Sequence, residues 1–156
     1  MLIQQVSRDE PETIDLMVLN VSGATATAGM GMRFLGGAVG EIASADGINA
    51  TRMTSAPDFK NFAGVVLEDI PSNRHGQVRA YGKVNSIFYS AEADKTIGVG
   101  AVQYLQPGAI AGSWTSTFDY LVSTRVGNTM MKSLQSWETT NISGGVPIGA
   151  GFARGL

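Results

Sequence analysis

Two runs decide the fold class: Phe62-Ala63-Gly64-Val65-Val66-Leu67 and, after a turn, Val78-Arg79-Ala80-Tyr81-Gly82-Lys83-Val84. In the second run Val78, Ala80, Gly82 and Val84 alternate with Arg79, Tyr81 and Lys83. Successive side chains of a strand point to opposite faces. A period of two therefore sets the small and apolar residues on one face and the polar or amphipathic ones on the other. Pro71, Ser72, Asn73 and Gly76 lie between the runs and supply turn chemistry. The unit reads as an antiparallel hairpin or meander with one face in a core and one face wet. Gly64, Gly76 and Gly82 fall where a small barrel needs bends, bulges or tight turns.

Working outward, Ile14 to Val21 is rich in β-branched and aliphatic residues, is bounded by Ser22-Gly23, and reads as a strand. Gly23 to Gly29 alternates Ala and Thr, which suits a turn leading into a strand at Met30 to Leu35. Ile97 to Leu105 is a further strand, closed by the turn signal Gln106-Pro107-Gly108, and Trp114 to Val126 continues in strand-like composition. One stretch is helical in spacing: Met130, Leu134 and Trp137 fall at i, i+4 and i+7 after Asn128, a residue suited to an N-cap. The expected fold is thus mainly β, a small β-barrel or sandwich of short antiparallel strands, with one short helix near 129–138. The expected organisation is an extended N-terminal arm over 1–12, a single β domain over 13–143 and a glycine-rich C-terminal tail over 144–156.

Composition narrows the chemistry. The chain has 156 residues with 20 Gly, no Cys and one His. Without Cys there is no disulfide, thiolate zinc site or thiol nucleophile, and one imidazole falls short of the usual metal constellations. A net charge of -2, from 11 basic and 13 acidic residues, is the wrong balance for neutralising phosphates, so no nucleic acid partner is expected. No apolar run approaches the roughly 20 residues that span a bilayer, and the start lacks the basic and apolar regions of a secretory signal.

Candidate catalytic groups are few. His75, in a turn, would need Asp69 or Glu68 as its orienting carboxylate, and no Ser sits in a G-x-S-x-G context. An exposed turn histidine is the simpler reading. Glu68-Asp69 could be half of a carboxylate pair, but equally they end a strand and begin a turn. The Gly-x-Gly pairs at 29/31, 98/100 and 149/151 continue into neither a dinucleotide fingerprint nor a P-loop. The acidic group Asp9, Glu10, Glu12 and Asp15 lacks the spacing of a calcium loop. No catalytic residue, cofactor or metal is therefore assigned, and the expectation is a binding or structural module rather than an enzyme.

The sequence resembles a family. Leu19-Asn20-Val21-Ser22-Gly23-Ala24-Thr25 followed by Ala28-Gly29-Met30-Gly31-Met32 looks like the opening of small capsid decoration (cement, or head-auxiliary) proteins of tailed bacteriophages. Phe62 to Ile70 and then Gly76 to Val84 are similar to the central segment of that family, a "Gly-Val-Val/Ala-x-Glu-Asp-Ile" strand, a turn and a "Gly-x-Val-x-Val-x-Gly" strand. Asp94 to Gly100, ending at Pro107-Gly108-Ala109, resembles its next segment. The resemblance spans roughly 17–112 and leaves the C-terminal third unmatched. It implies a barrel-like body, usually a homotrimer, on the exterior of a virion capsid, bound to the major capsid protein and stabilising the expanded head. It carries no catalytic residues.

Extended arms suit such work, because a terminus can pair with an exposed strand edge of another protein. Leu2, Ile3 and Val6 in the polar lead, with Phe152 near the end, are candidate capsid-contact anchors; packing against the protein's own barrel is the other reading of each. The alternative function is a carbohydrate- or host-surface-binding β module of a phage spike or fibre, with Trp114, Tyr120 and Trp137 as candidate exposed aromatics.

Overall fold

The alternating run folds as the two-faced wall that a period of two requires. Val78, Ala80, Gly82 and Val84 are buried, Gln77 and Lys83 are exposed, and Arg79 and Tyr81 lie between. The computed structural model describes residues 12–36, 48–54, 61–89, 104–107, 110–116, 131–133, 146–148 and 151–154. The strands among them are β1 (Ile14–Asn20), β2 (Gly31–Phe34), β3 (Asn49–Arg52), β4 (Phe62–Val66), β5 (His75–Val84) and β6 (Ile87–Tyr89). They continue with β7 (Tyr104–Pro107), β8 (Trp114–Ser116), β9 (Met131–Ser133), β10 (Val146–Ile148) and β11 (Gly151–Arg154).

The first five strands close on themselves in the order β1-β3-β2-β4-β5, with β5 returning to β1. The result is a small five-stranded β-barrel, in which only the β1–β3 pairing is parallel. From β5 the sheet runs on through β11, β9, β7, β8, β6 and β10. The end position of β10 fits Pro147, which has no amide to offer a further neighbour.

A five-stranded barrel has a narrow interior, and its filling shows this. Small Ala26, Ala50 and Ala63 share the core with Val18, Val66, Val78, Ile70 and the unbranched Met30 and Met32. Ala63 and Val66 lie three apart yet face one core, although plain alternation would separate them. The cause is a bulge: Met32 pairs with Gly64 and Arg33 with Phe62, leaving Ala63 as the extra residue. Gly64 has φ 152°, and a Cβ there would lie 2.8 Å from the Arg79 carbonyl, so the bulge needs glycine.

The rest of the sheet is fastened to the barrel around Gly29–Gly31. The Gly29 carbonyl accepts from the Phe88 amide (3.1 Å) and from the Trp114 indole N–H (3.0 Å). The Gly31 amide donates to Gly112 O at 2.8 Å, and Gly112 N–H to Met53 O at 2.6 Å. Trp114 is fully buried and meets Phe62 edge-to-face, with ring centroids 6.0 Å apart.

Two expectations change. Met131–Ser133 is strand β9, paired with β7 and β11, so no helix runs through the middle of 129–138; the rest of that range lies outside the described residues. Helical spacing over one turn gives way where strands on both sides offer backbone partners. In the 144–156 tail, β10 pairs with β6, while β11 pairs with β5 and β9. Both strands are thus held by ladders within the chain. The strands expected at 14–21, 30–35, 62–67 and 78–84 form as β1, β2, β4 and β5, and Tyr104 and Trp114 enter β7 and β8.

Candidate interaction surface

The outer face of the β1/β5 wall is built from four cross-strand pairs: Ile14–Tyr81, Asp15–Arg79, Met17–Gln77 and Leu19–His75. Leu16 and Val18 turn inward, so the intervening positions must turn out. The bulge between Ile14 and Asp15 lets both of these neighbours share the outer side. Ile14 (36% exposed) and Met17 (54%) are the large hydrophobic residues left exposed among the described ones.

The charges on this face cancel. Arg79 Nε donates to Asp15 Oδ1 at 2.7 Å and its Nη2 to Oδ2 at 2.9 Å, a two-point fork. Its Nη1 is used on the Lys83 carbonyl. The hydrogen bond from Arg79 holds the Asp15 carboxyl below the ordinary carboxylate range, outweighing the opposite pull of partial burial. Arg79 is thus committed to Asp15.

One end of this wall is fixed by Asn20. Its buried Nδ2 donates to Ala24 O (2.8 Å) and Ile70 O (2.7 Å), and its Oδ1 accepts from the Ser22 amide and hydroxyl. Its main chain receives Asn73 N–H and gives to Arg74 O. One side chain therefore ties the 21–24 turn to the 70–74 turn. Asn73 sits at φ 58°, a left-handed position that asparagine tolerates.

Beside this turn a groove of about 310 Å³ lies between Leu67–Ile70 and His75–Gln77. The structure does bring His75, Glu68 and Asp69 to one groove. Asp69, however, already accepts the Ala28 amide at 2.8 Å, the turn role that its position suggests. Among the described residues no group of three or more His, Asp or Glu side chains could hold a metal ion. Trp114 is spent inside the molecule and offers no stacking face; Tyr120 and Trp137 lie outside the described residues.

Of the four expected anchors, Leu2, Ile3 and Val6 lie outside the described residues. Phe152 lies within β11, opposite Lys83 of β5 and Lys132 of β9, so it is held by ladders on both sides and not on a free tail. Sequence reading missed Met17 as a surface residue because Leu16 to Leu19 is an unbroken apolar run. The alternation that would reveal it is hidden by Leu19, an apolar residue on the outer face.

No protein-family model matches the chain, and no curated protein matches it. The fold is similar to the crystal structure of the head fiber gp8.5 N base of bacteriophage phi29, with a TM-score of 0.54 and 12% identity. The likeness covers 92% of this chain and 96% of that one, and at that identity it is a likeness of fold.

Proposed function

We propose that this chain is a structural protein of a phage head, a decoration protein that sits on the capsid exterior and holds to the major capsid protein without doing catalysis. The observation that carries the reading is the near end-to-end likeness in fold to the head fiber base of phage phi29. The resemblance of residues 17–112 to capsid decoration proteins points the same way and was reached from different features, the glycine, turn and strand motifs. The surface chemistry agrees with attachment: a neutralised ion pair and exposed apolar side chains on a rigid sheet make a face that can be buried at small desolvation cost.

A protein bridging neighbouring capsomers needs only an ordinary interface, about 800 Å² per partner, because repeated attachment multiplies modest contacts. The experiment is to mix the purified protein with undecorated expanded heads and to measure uptake and the temperature at which the heads rupture. Saturable uptake with a raised rupture temperature is expected; heads that take up none refute the reading.

A further inference from the structure

Charge is unevenly placed in this chain. The net charge is -2, yet among the described strands the one acidic residue is Asp15, against six Lys or Arg. Glu12, Glu68 and Asp69, the other described acidic residues, lie outside the strands. Asp15 is itself taken by Arg79. The sheet is therefore basic, although the whole chain is not.

The register gathers these cations into a pattern, because directly opposed residues of a ladder stand on one face. Lys83 of β5 is opposite Phe152 of β11, Phe152 is opposite Lys132 of β9, and Lys132 is opposite Tyr104 of β7. One row across four strands thus reads cation, aromatic, cation, aromatic. Two residues along, Arg154 lies opposite Tyr81 and repeats the pairing on the same face. The intervening row, Gly82, Ala153, Met131 and Leu105, carries no charge. Gly82 and Ala153 are buried while Lys83 is exposed, so the alternating row belongs to the outer face. Neighbouring strands are about 4.8 Å apart, which sets Lys83 and Lys132 about 10 Å apart along the row.

We propose that this face binds a linear acidic polysaccharide in which charged and uncharged sugars alternate. A pyranose unit is about as long as one strand spacing. A chain lying along the row would bring its carboxylates to the positions of Lys83 and Lys132 and an uncharged ring to that of Phe152. Aromatic residues supply apolar contact, and a few placed charges fix orientation. A sparse polyanion is also what the rest of the molecule tolerates. Three spaced cations in a chain of net charge -2 are a poor match for a nucleic acid, which carries a phosphate at every unit. An acidic β-strand fits less well, since its carboxylates on one face recur every second residue, about 7 Å. The proposal is independent of attachment to a head and is tested on the protein alone.

The test measures binding of the purified chain to immobilised hyaluronan, a linear glycan with one carboxylate per disaccharide, at physiological ionic strength. Dextran, polyglutamate and oligothymidylate are the comparison surfaces. Hyaluronan is expected to bind, dextran not, and the other two more weakly. Lys83→Gln and Lys132→Gln should each weaken hyaluronan binding by about three- to fivefold, the scale of an exposed charge pair. Arg74→Gln removes the same charge from an exposed turn outside the row and should stay within about twofold of the parent. Thermal melts confirm that each variant folds. No binding to hyaluronan, equal binding to dextran, no loss in the row variants, or an equal loss in R74Q overturns the proposal. So does polyglutamate or oligothymidylate binding as tightly as hyaluronan, which would assign the face to an acidic protein or to nucleic acid.

Discussion

Asn20 is a buried polar residue whose side chain satisfies two carbonyls and two donors inside the protein. Replacing it with Ala leaves the Ile70 carbonyl buried without that donor. N20A is expected to lower unfolding stability by about 2–3 kcal/mol, measured by urea denaturation. Asp15 contributes less, and its contribution depends on pH. Its folded pKa is depressed by Arg79, so the stabilisation is present above the unfolded value of about 3.9 and is lost as pH falls through the lower folded value. Because the pair is partly exposed, the effect is about 1 kcal/mol or less. Melts at pH 7 and pH 3 should show a larger acid loss for the parent than for D15N. None of this is visible in sequence: Asn20 reads as one more residue of an apolar strand. Its role comes from Ile70, fifty residues away in the chain.

At the scale of elements, legibility followed locality. β5 declares itself because its alternation lies within one run, and β1, β2 and β4 because they are apolar and bounded by turns. β3 (Asn-Ala-Thr-Arg) is polar and short, and it exists because β2 and β1 flank it. β9, β10 and β11 likewise depend on partners distant in sequence, so their own residues suggest a helix and a tail. The junction at Gly29–Gly31 is the element-level weak point. Gly29 has φ 87°, and a Cβ there would lie 2.6 Å from the Phe88 amide nitrogen. G29A is expected to cost about 2 kcal/mol or more, through both strain and the displaced β6 segment. Trp114→Ala empties a fully buried site against Phe62 and removes one of the two donors to the Gly29 carbonyl. A loss of about 3–5 kcal/mol is expected, with amide exchange rising at Phe88 and Gly112 before the barrel core.

For the whole molecule, the fold class was open to sequence reading, whereas the surface that acts was only partly so. The anchors sought at the termini rested on the idea of free arms. Leu2, Ile3 and Val6 lie outside the described residues and Phe152 sits within β11, while Met17 and Ile14 stand exposed on the β1/β5 wall. His75, a candidate general base by residue type, lies exposed in the groove that Glu68 and Asp69 also line. H75A is expected to change stability by less than about 0.5 kcal/mol, measured by urea denaturation.

Attachment to a phage head is the central claim, and quantitative uptake by undecorated expanded heads tests it most directly. The account predicts binding that saturates at a fixed number of copies per head and raises the rupture temperature. Uptake that never saturates, or heads that rupture at the same temperature with and without the protein, would contradict it.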